Sequence, residues 1–154
     1  MRNSKKDPVI RDQRSMKKKR WFEKGIRFSC QRCGDCCRNV SLQEACVYLN
    51  GDDIDGASEL LHLSRKEFIK KYTVNRYSFT VIRKPEGDCI FFQNKKCCIY
   101  KARPMQCRTW PFWEINLIKK NWEQNVKPVC RGIGKGKLYS CEQIVHMSEF
   151  QSPL

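Results

Sequence analysis

The sequence predicts a small α+β domain that is rich in loops, with short strands or a hairpin and three to four helices around a cysteine-ligated metal centre. A chain of 154 residues fits a single domain with a modest core. Helix-capping patterns precede stretches of helical apolar spacing, and short alternating stretches bounded by turn residues indicate strands. The segment from Cys30 to Cys37 contains four thiols, a density that is typical of metal sites.

The N-terminal segment has the composition of a basic, flexible arm. Residues 1–24 contain ten Lys or Arg and three acidic residues, which supplies +7 of the formal net charge of +15. We therefore divide the chain into an arm over residues 1–24 and a cysteine-cluster metal-binding domain over residues 25–154. No apolar run approaches the ~18 residues that cross a bilayer, so we expect a cytoplasmic protein with no membrane partner.

Two helices are predicted in the first half of the domain. Asn50 and the two residues after it supply a turn and a cap for a helix over about 53–62. Ser64 and Glu67 form a capping-box pattern, in which each side chain satisfies a free amide at the start of a second helix that runs to about Tyr72. We assign both helices to core packing.

The middle of the chain reads as strands. Val47–Leu49 is a plausible short strand, and Tyr77–Ile82 alternates in the manner of a strand. Asp88–Phe92 and Cys98–Tyr100 flank a polar turn, which predicts a hairpin. Cys89 and Cys97 would lie near the two arms of this hairpin, where paired thiols can reach one ion.

The last third of the domain contains apolar and glycine-rich segments. Trp110–Trp113 is bulky enough to form an aromatic lid over a metal site. A helix is expected within residues 114–127, and the glycines of 132–136 would allow a tight backbone path beside the site. Ser140–Gln143 is a further capping pattern that opens a terminal helix.

The cysteine count and spacing favour metal ligation over disulfides. Eleven cysteines cannot all pair internally, and a two-residue spacing lets two sulfurs reach one ion. Cys36 and Cys37 are adjacent, and neighbouring side chains point different ways along an extended backbone. This pair therefore serves two sites, or two metals of one multinuclear centre.

The metal itself is left open by the residues. Eight thiolates can form two closed four-cysteine zinc sites. They can equally hold an iron-sulfur cluster, because Cys30, Cys33 and Cys36 have the spacing of the first three cysteines of bacterial ferredoxins. The fourth ferredoxin cysteine, followed by proline, is missing. We expect His62 and His146 to be ordinary surface or core residues.

The order of the cysteine motifs resembles the YkgJ-type cysteine-cluster family, a zinc- or iron-chelating domain. The motifs are Cys30-x2-Cys33-x2-Cys36-Cys37, Gly87-x-Cys89-x-Phe91, Cys97-x-Ile99-Tyr100, Arg103-Pro104-x-x-Cys107-Arg108-x-Trp110-Pro111-Phe112 and Cys130-x-Gly132-x-Gly134-x-Gly136. The resemblance covers about residues 25–145, and the chain departs from it at Arg131, where the family has proline. It implies eight metal ligands: Cys30, Cys33, Cys36, Cys37, Cys89, Cys97, Cys107 and Cys130. Cys46, Cys98 and Cys141 fall outside the pattern.

The sequence thus predicts an intracellular zinc- or iron-sulfur-binding protein with a redox, metal-handling or partner-modifying role. An alternative is a zinc-stabilised module that binds nucleic acid, or an acidic protein, through residues 1–20. An enzyme that carries out a methyl or radical reaction would need a cofactor pocket, for which the sequence contains no recognisable glycine motif.

Overall fold

The structure, a computed structural model, describes residues 19–38 and 46–150, without the side chain of Glu86. The predicted flexible arm falls mainly on residues 1–18, outside the described residues. Phe22, which follows that segment, is buried in the protein core. Helices and short antiparallel strand pairs form one small domain, and the predicted α+β class is confirmed.

The helices are short and are separated by irregular segments. They are α1 (Gly51–Leu60), α2 (Arg65–Tyr72), α3 (Met105–Thr109), α4 (Glu114–Leu117), α5 (Lys119–Asn121) and α6 (Cys141–Glu149). A π-helical turn over Trp122–Val126 continues α5, and 3-10 turns cover Pro85–Gly87 and Tyr100–Ala102. In the described residues, no helix has the length and apolar character needed to span a membrane.

The predicted helix starts are explained by side-chain caps. The side chains of Asn50, Ser64 and Ser140 each accept a hydrogen bond from the backbone amide three residues later. The side chain at that later position in turn accepts a hydrogen bond from the backbone amide of the cap residue. Helix α1 begins two residues before the predicted start at 53, because Asn50 itself is the cap. The helices predicted after Ser64 and Ser140 are confirmed.

The strands form three antiparallel pairs. Strand β1 (Ile26–Phe28) pairs with β6 (Lys137–Tyr139), β2 (Thr73–Arg76) pairs with β3 (Phe79–Ile82), and β4 (Phe92–Gln93) pairs with β5 (Lys96–Cys97). Strands β1, β2 and β6 were not predicted from the sequence. Tyr48 bridges to Val81, so the segment predicted as a strand at 47–49 lies against β3.

Both hairpins turn through two residues with positive φ. Asn94 and Lys95 connect β4 to β5, which confirms the predicted hairpin. Its second arm is Lys96–Cys97 and not Cys98–Tyr100, since Tyr100 opens a 3-10 turn. Tyr77 was predicted to begin a strand, but it forms the turn between β2 and β3 with Ser78.

The core is divided into two apolar clusters. The first cluster contains Phe22, Ile26, Phe28, Phe112, Trp122, Val126 and Ile144. The second contains Ile54, Ala57, Phe68, Ile82, Phe91 and Ile99. Cys30 and Cys130 pack against the first cluster, whereas Cys89 and Cys97 pack against the second.

Candidate metal centre

All eight predicted ligands line one cavity of about 350 Å³. The other three cysteines, Cys46, Cys98 and Cys141, are absent from its wall among the described residues. The eleven cysteines all lie in the described part of the chain, and each carries a free thiol. Within residues 19–38 and 46–150, no three His, Cys, Asp or Glu side chains form a ready-made set of ligands. The fold therefore gathers the eight thiols around a common space, while their role as ligands stays a prediction.

The cysteine-rich loop reaches the β4–β5 hairpin through Gly34. This glycine has φ +81°, and an added Cβ would lie 2.0 Å from Cζ of Phe92. The amide of Cys37 bonds to the carbonyl of Gly34 at 2.9 Å, so the chain turns directly after the contact. Only glycine fits at this position, because a side chain would collide with Phe92. The close contact and the turn after it bring Cys36 and Cys37 to the hairpin.

Cys37 and Cys89 are joined through their backbones. The amide of Cys89 donates a hydrogen bond to the carbonyl of Cys37 at 3.1 Å, and Arg38 bridges to Asp88 beside it. The amide of Phe92 then bonds to the carbonyl of Cys89 at 2.8 Å, which leads the chain into β4. Cys97 lies opposite Phe92 in β5. The hairpin thus places two predicted ligands near Cys37.

Helix α3, which carries Cys107, is held by the carboxylate of Asp53. Oδ1 of Asp53 accepts a hydrogen bond from the amide of Met105 at 2.9 Å and lies 3.8 Å from Nη2 of Arg108. Its Oδ2 accepts from the amide of Asn50 at 3.2 Å. Because the Asp53 side chain is only 4% exposed, it links the starts of α1 and α3 away from bulk water.

Gln106, in α3, holds the segment that precedes α1. Its Oε1 accepts from the amide of Tyr48 at 2.9 Å, and its Nε2 donates to the carbonyl of Cys46 at 3.1 Å. Neither Asp53 nor Gln106 was predicted from the sequence to have a role at the site. The place of Asp53 three residues after the cap Asn50 was a visible signal, but its bond to α3 is tertiary and has no local pattern.

Cys130 is brought to Cys30 by the pairing of the chain around β1. The amide of Ser29 donates to the carbonyl of Gly132 at 3.1 Å, and Phe28 bridges to Ile133. An added Cβ on Gly132 would lie 2.4 Å from the Ser29 carbonyl oxygen, so this approach requires glycine. The tight backbone path predicted for 132–136 is thus present at Gly132 and at Gly136, whereas the space around Gly134 is open.

An ion pair ties the residue after Cys130 to the cysteine-rich loop. Nε of Arg131 lies 3.1 Å from Oδ2 of Asp35, between Cys33 and Cys36 in sequence. Arg131 is the position at which the sequence departs from the family pattern, and it here fastens two segments that both carry predicted ligands.

Burial raises the pKa values of several thiols that line the cavity. Burial raises the pKa of Cys89 to about 11 and the negative charges of Cys37 and Cys97 add to the effect. Burial, followed by the charge of Cys89, likewise raises the pKa of Cys107. The pKa values of Cys97 and Cys33 are also raised, in both cases mainly by burial.

Cys37 has the opposite behaviour. A hydrogen bond from the Cys36 thiol lowers the pKa of Cys37 to about 7. The positive charges of Arg103, Lys84 and Arg38 contribute to this lowering in decreasing order. The same hydrogen bond raises the pKa of Cys36. Cys37 is therefore the thiol most ready to meet a metal as thiolate.

Cationic side chains line the cavity next to the thiols. They are Arg32, Lys84, Arg103, Arg108 and Lys137. The guanidinium carbons of Arg32 and Arg103 lie 4.0 Å and 3.7 Å from the centroid of the Tyr100 ring. Tyr100 thereby connects the cysteine-rich loop to the turn before α3, while the positive charges offset those of thiolates.

The Trp110–Trp113 segment contributes aromatic surface to the cavity. Trp110 and Trp113 line it, whereas Phe112 is buried in the first core cluster. Nε1 of Trp113 donates to the carbonyl of Gln106 at 2.9 Å. Nε1 of Trp110 is buried and finds no acceptor among the described residues. A buried donor without a partner costs about 1–3 kcal/mol.

The residues outside the predicted ligand set lie elsewhere. The Cys46 thiol accepts a contact from Nη1 of Arg76 at 3.5 Å, and Cys141 begins α6. His62 is exposed and ends the turn after α1. Nδ1 of His146 lies 3.6 Å from Glu149. Neither histidine lines the cavity, in agreement with the sequence prediction.

The comparisons with known proteins agree with the cysteine pattern. The model of the CxxCxxCC family, described as "Putative zinc- or iron-chelating domain", matches residues 29–131. The chain is 30% identical over 126 residues to an uncharacterized protein of Methanocaldococcus jannaschii, in an alignment that covers 74% of this chain and 63% of that relative. The chain thus spans less than two thirds of the length of this curated relative. No solved structure matches the chain. Since the family model covers more than half of the sequence, the protein belongs to the CxxCxxCC family.

Proposed function

We propose that this protein binds zinc or an iron-sulfur cluster through eight cysteine thiolates, those of Cys30, Cys33, Cys36, Cys37, Cys89, Cys97, Cys107 and Cys130. One observation carries the proposal. These eight side chains come from separate segments of the chain and line one cavity, which the other three cysteines do not reach. The family resemblance and the cavity wall thus select the same eight cysteines.

The chemistry of the cavity wall fits such a group. Thiolates are the soft ligands that zinc and iron-sulfur clusters prefer. The cationic wall supplies charge against a set of thiolates, and the unpartnered Nε1 of Trp110 can donate to a sulfur atom. Zinc would supply structural cross-linking, whereas an iron-sulfur cluster would supply one-electron chemistry.

The protein's own residues hold and shield the site. Phe91 and Ile99 are buried in the second core cluster and also line the cavity, so one wall is apolar and anchored. An apolar wall lowers the local dielectric, which strengthens the attraction between thiolates and cations. Asp53 and the β4–β5 hairpin fix the backbones that present the predicted ligands.

The experiment is metal analysis of the full chain purified without oxygen, combined with its visible absorption spectrum. A colourless protein with stoichiometric zinc, or a coloured protein with iron and sulfide, supports the proposal and selects the metal. Replacing Cys107 with serine should lower the metal content, whereas Cys98→Ser should leave it unchanged. A folded wild-type chain without stoichiometric metal contradicts the proposal.

The finer roles follow from that result. Redox activity requires the coloured form, and metal handling requires exchange of the ion with a chelator. A nucleic-acid role depends on the basic arm, which lies mostly in residues 1–18, outside the described part of the chain. It predicts binding that weakens steeply with salt and is lost when residues 1–20 are deleted.

A further inference from the structure

The cavity has two halves, each built on its own core cluster. Cys30 and Cys130 pack against the cluster that contains Phe28 and Phe112. Cys89 and Cys97 pack against the cluster that contains Phe91 and Ile99. The thiols therefore share a space but are anchored to different parts of the protein.

The half on the second cluster is held by three connections. The amide of Cys89 bonds to the carbonyl of Cys37 at 3.1 Å, and the β4–β5 hairpin carries Cys97 back towards Cys89. Asp53 ties the first turn of α3, and with it Cys107, to α1.

The half on the first cluster has its own connections. Ser29 bonds to the carbonyl of Gly132 at 3.1 Å, which places the Cys30 and Cys130 segments side by side. The pair of Arg131 with Asp35 at 3.1 Å fastens the loop that carries Cys33 and Cys36.

The two halves meet at Cys36 and Cys37. These residues are consecutive in sequence. Each is nevertheless next to a different connection. The carbonyl of Cys37 accepts from the amide of Cys89, whereas Cys36 follows Asp35, which pairs with Arg131 beside Cys130. The Cys36–Cys37 peptide unit is thus the boundary between the halves.

We infer that the eight thiols are divided into two four-cysteine sets, an outer set of Cys30, Cys33, Cys36 and Cys130 and a hairpin set of Cys37, Cys89, Cys97 and Cys107. The inference rests on the proposed function and adds the partition of its ligands. Four thiolates are the number that closes one tetrahedral zinc site, so each set can hold one zinc ion.

The test is zinc stoichiometry of reconstituted full-length protein with serine variants in both sets. Cys97→Ser should lose the zinc of the hairpin set alone, and Cys36→Ser that of the outer set alone. A second substitution within one set, Cys37→Ser added to Cys97→Ser, should cost no further zinc. The double variant Cys36→Ser with Cys97→Ser should lose both ions, and Cys98→Ser, next to Cys97, should lose neither.

A second measurement uses the wild-type chain and does not depend on folding of the variants. A limiting amount of chelator removes part of the zinc, a thiol alkylating reagent labels the freed cysteines, and peptide mapping identifies them. The partition predicts that the four cysteines of one set are labelled together. Labels spread evenly over the cysteines of both sets would overturn the partition. Equal zinc loss in the double variant within one set and the double variant across the two sets would also overturn it. Wild-type protein that binds no zinc and no iron would instead contradict the proposed function.

Discussion

The backbone amide of Cys89 donates a hydrogen bond to the carbonyl of Cys37 at a distance of 3.1 Å. This bond joins the end of the cysteine-rich loop to the start of the β4–β5 hairpin. Helices α1 and α2 and strands β2 and β3 lie between the two residues in sequence. Cysteines that are distant in sequence come together only through such tertiary contacts.

Asp53→Ala should destabilise the protein and weaken metal binding. The substitution removes the buried carboxylate that accepts from the amides of Met105 and Asn50, which should cost about 1–3 kcal/mol in the free energy of unfolding. Helix α3 would lose its attachment, so Cys107 would be presented less accurately. Urea denaturation measures the stability, and competition with a chromophoric chelator measures zinc affinity.

Asp52→Ala is the matched control for this prediction. Asp52 is also an acid in the first turn of α1, but it is exposed. Its loss should cost at most about 1 kcal/mol through the helix dipole. Equal effects of the two substitutions on zinc affinity would rule out the positioning role of Asp53.

Gly136→Ala should reduce stability more than Gly134→Ala. Both glycines have positive φ, +68° and +82°, so an alanine is strained at either position. At Gly136 the added Cβ would also lie 2.5 Å from Cβ of Ser29, whereas at Gly134 nothing lies within 4 Å. Overpacking of this kind costs about 1–3 kcal/mol. The difference between the two denaturation midpoints isolates the contact next to Cys30, and identical midpoints would show that the contact contributes nothing.

Trp110→Phe should weaken metal binding, whereas Trp21→Phe should not. Each substitution removes one indole N–H and the same volume. Nε1 of Trp21 already donates to the carbonyl of Leu117 at 2.7 Å, so its loss should destabilise the metal-free protein by about 1 kcal/mol more than Trp110→Phe. Nε1 of Trp110 has no acceptor among the described residues until a group enters the cavity. Unchanged zinc affinity in Trp110→Phe would mean that this donor does not serve the metal.

Metal affinity should rise with pH, and binding should release protons. Burial raises the pKa of Cys89 to about 11, and it raises that of Cys107 as well, so both thiols are protonated near neutral pH. A metal ion must displace these protons. Calorimetry in buffers of different ionisation enthalpy counts them, with Cys37 contributing only a fraction since its pKa is about 7.

The metal-free protein should show the opposite pH dependence. A raised thiol pKa means that the folded state holds its proton more tightly than the unfolded chain. The contribution of Cys89 to stability is therefore complete below the ordinary thiol value of 9.0 and falls as the pH rises towards 11. For the metal-bound form, the contradicting result would be a zinc affinity that does not change between about pH 6 and 8, since the raised thiol pKa values require protons to be released on binding.

The sequence predicted the features that depend on neighbouring residues. Helix capping is local, so Asn50, Ser64 and Ser140 each marked a helix start that the structure contains. The turn at Asn94 and Lys95 was visible as a polar break between apolar stretches. The grouping of eight cysteines apart from three others came from the family resemblance, and the cavity contains the same eight.

The features that were missed depend on distant partners. Strands β1 and β6 have three residues each, which is too short for alternation to be recognised, and their pairing joins opposite ends of the domain. Strand β2 follows α2 directly, and Tyr77 and Ser78 turn with positive φ although neither is glycine or asparagine. The bond of Asp53 to Met105 likewise has no signature along the chain.

X-ray absorption at the metal edge of anaerobically purified, full-length protein tests the central claim most directly. The account predicts stoichiometric zinc or iron whose first shell is sulfur, at about 2.3 Å if the metal is zinc. It also predicts that this shell is retained in Cys98→Ser. A first shell dominated by nitrogen or oxygen, or a folded protein that contains no metal and is unaffected by a chelator, would contradict the claim that the eight thiols are metal ligands.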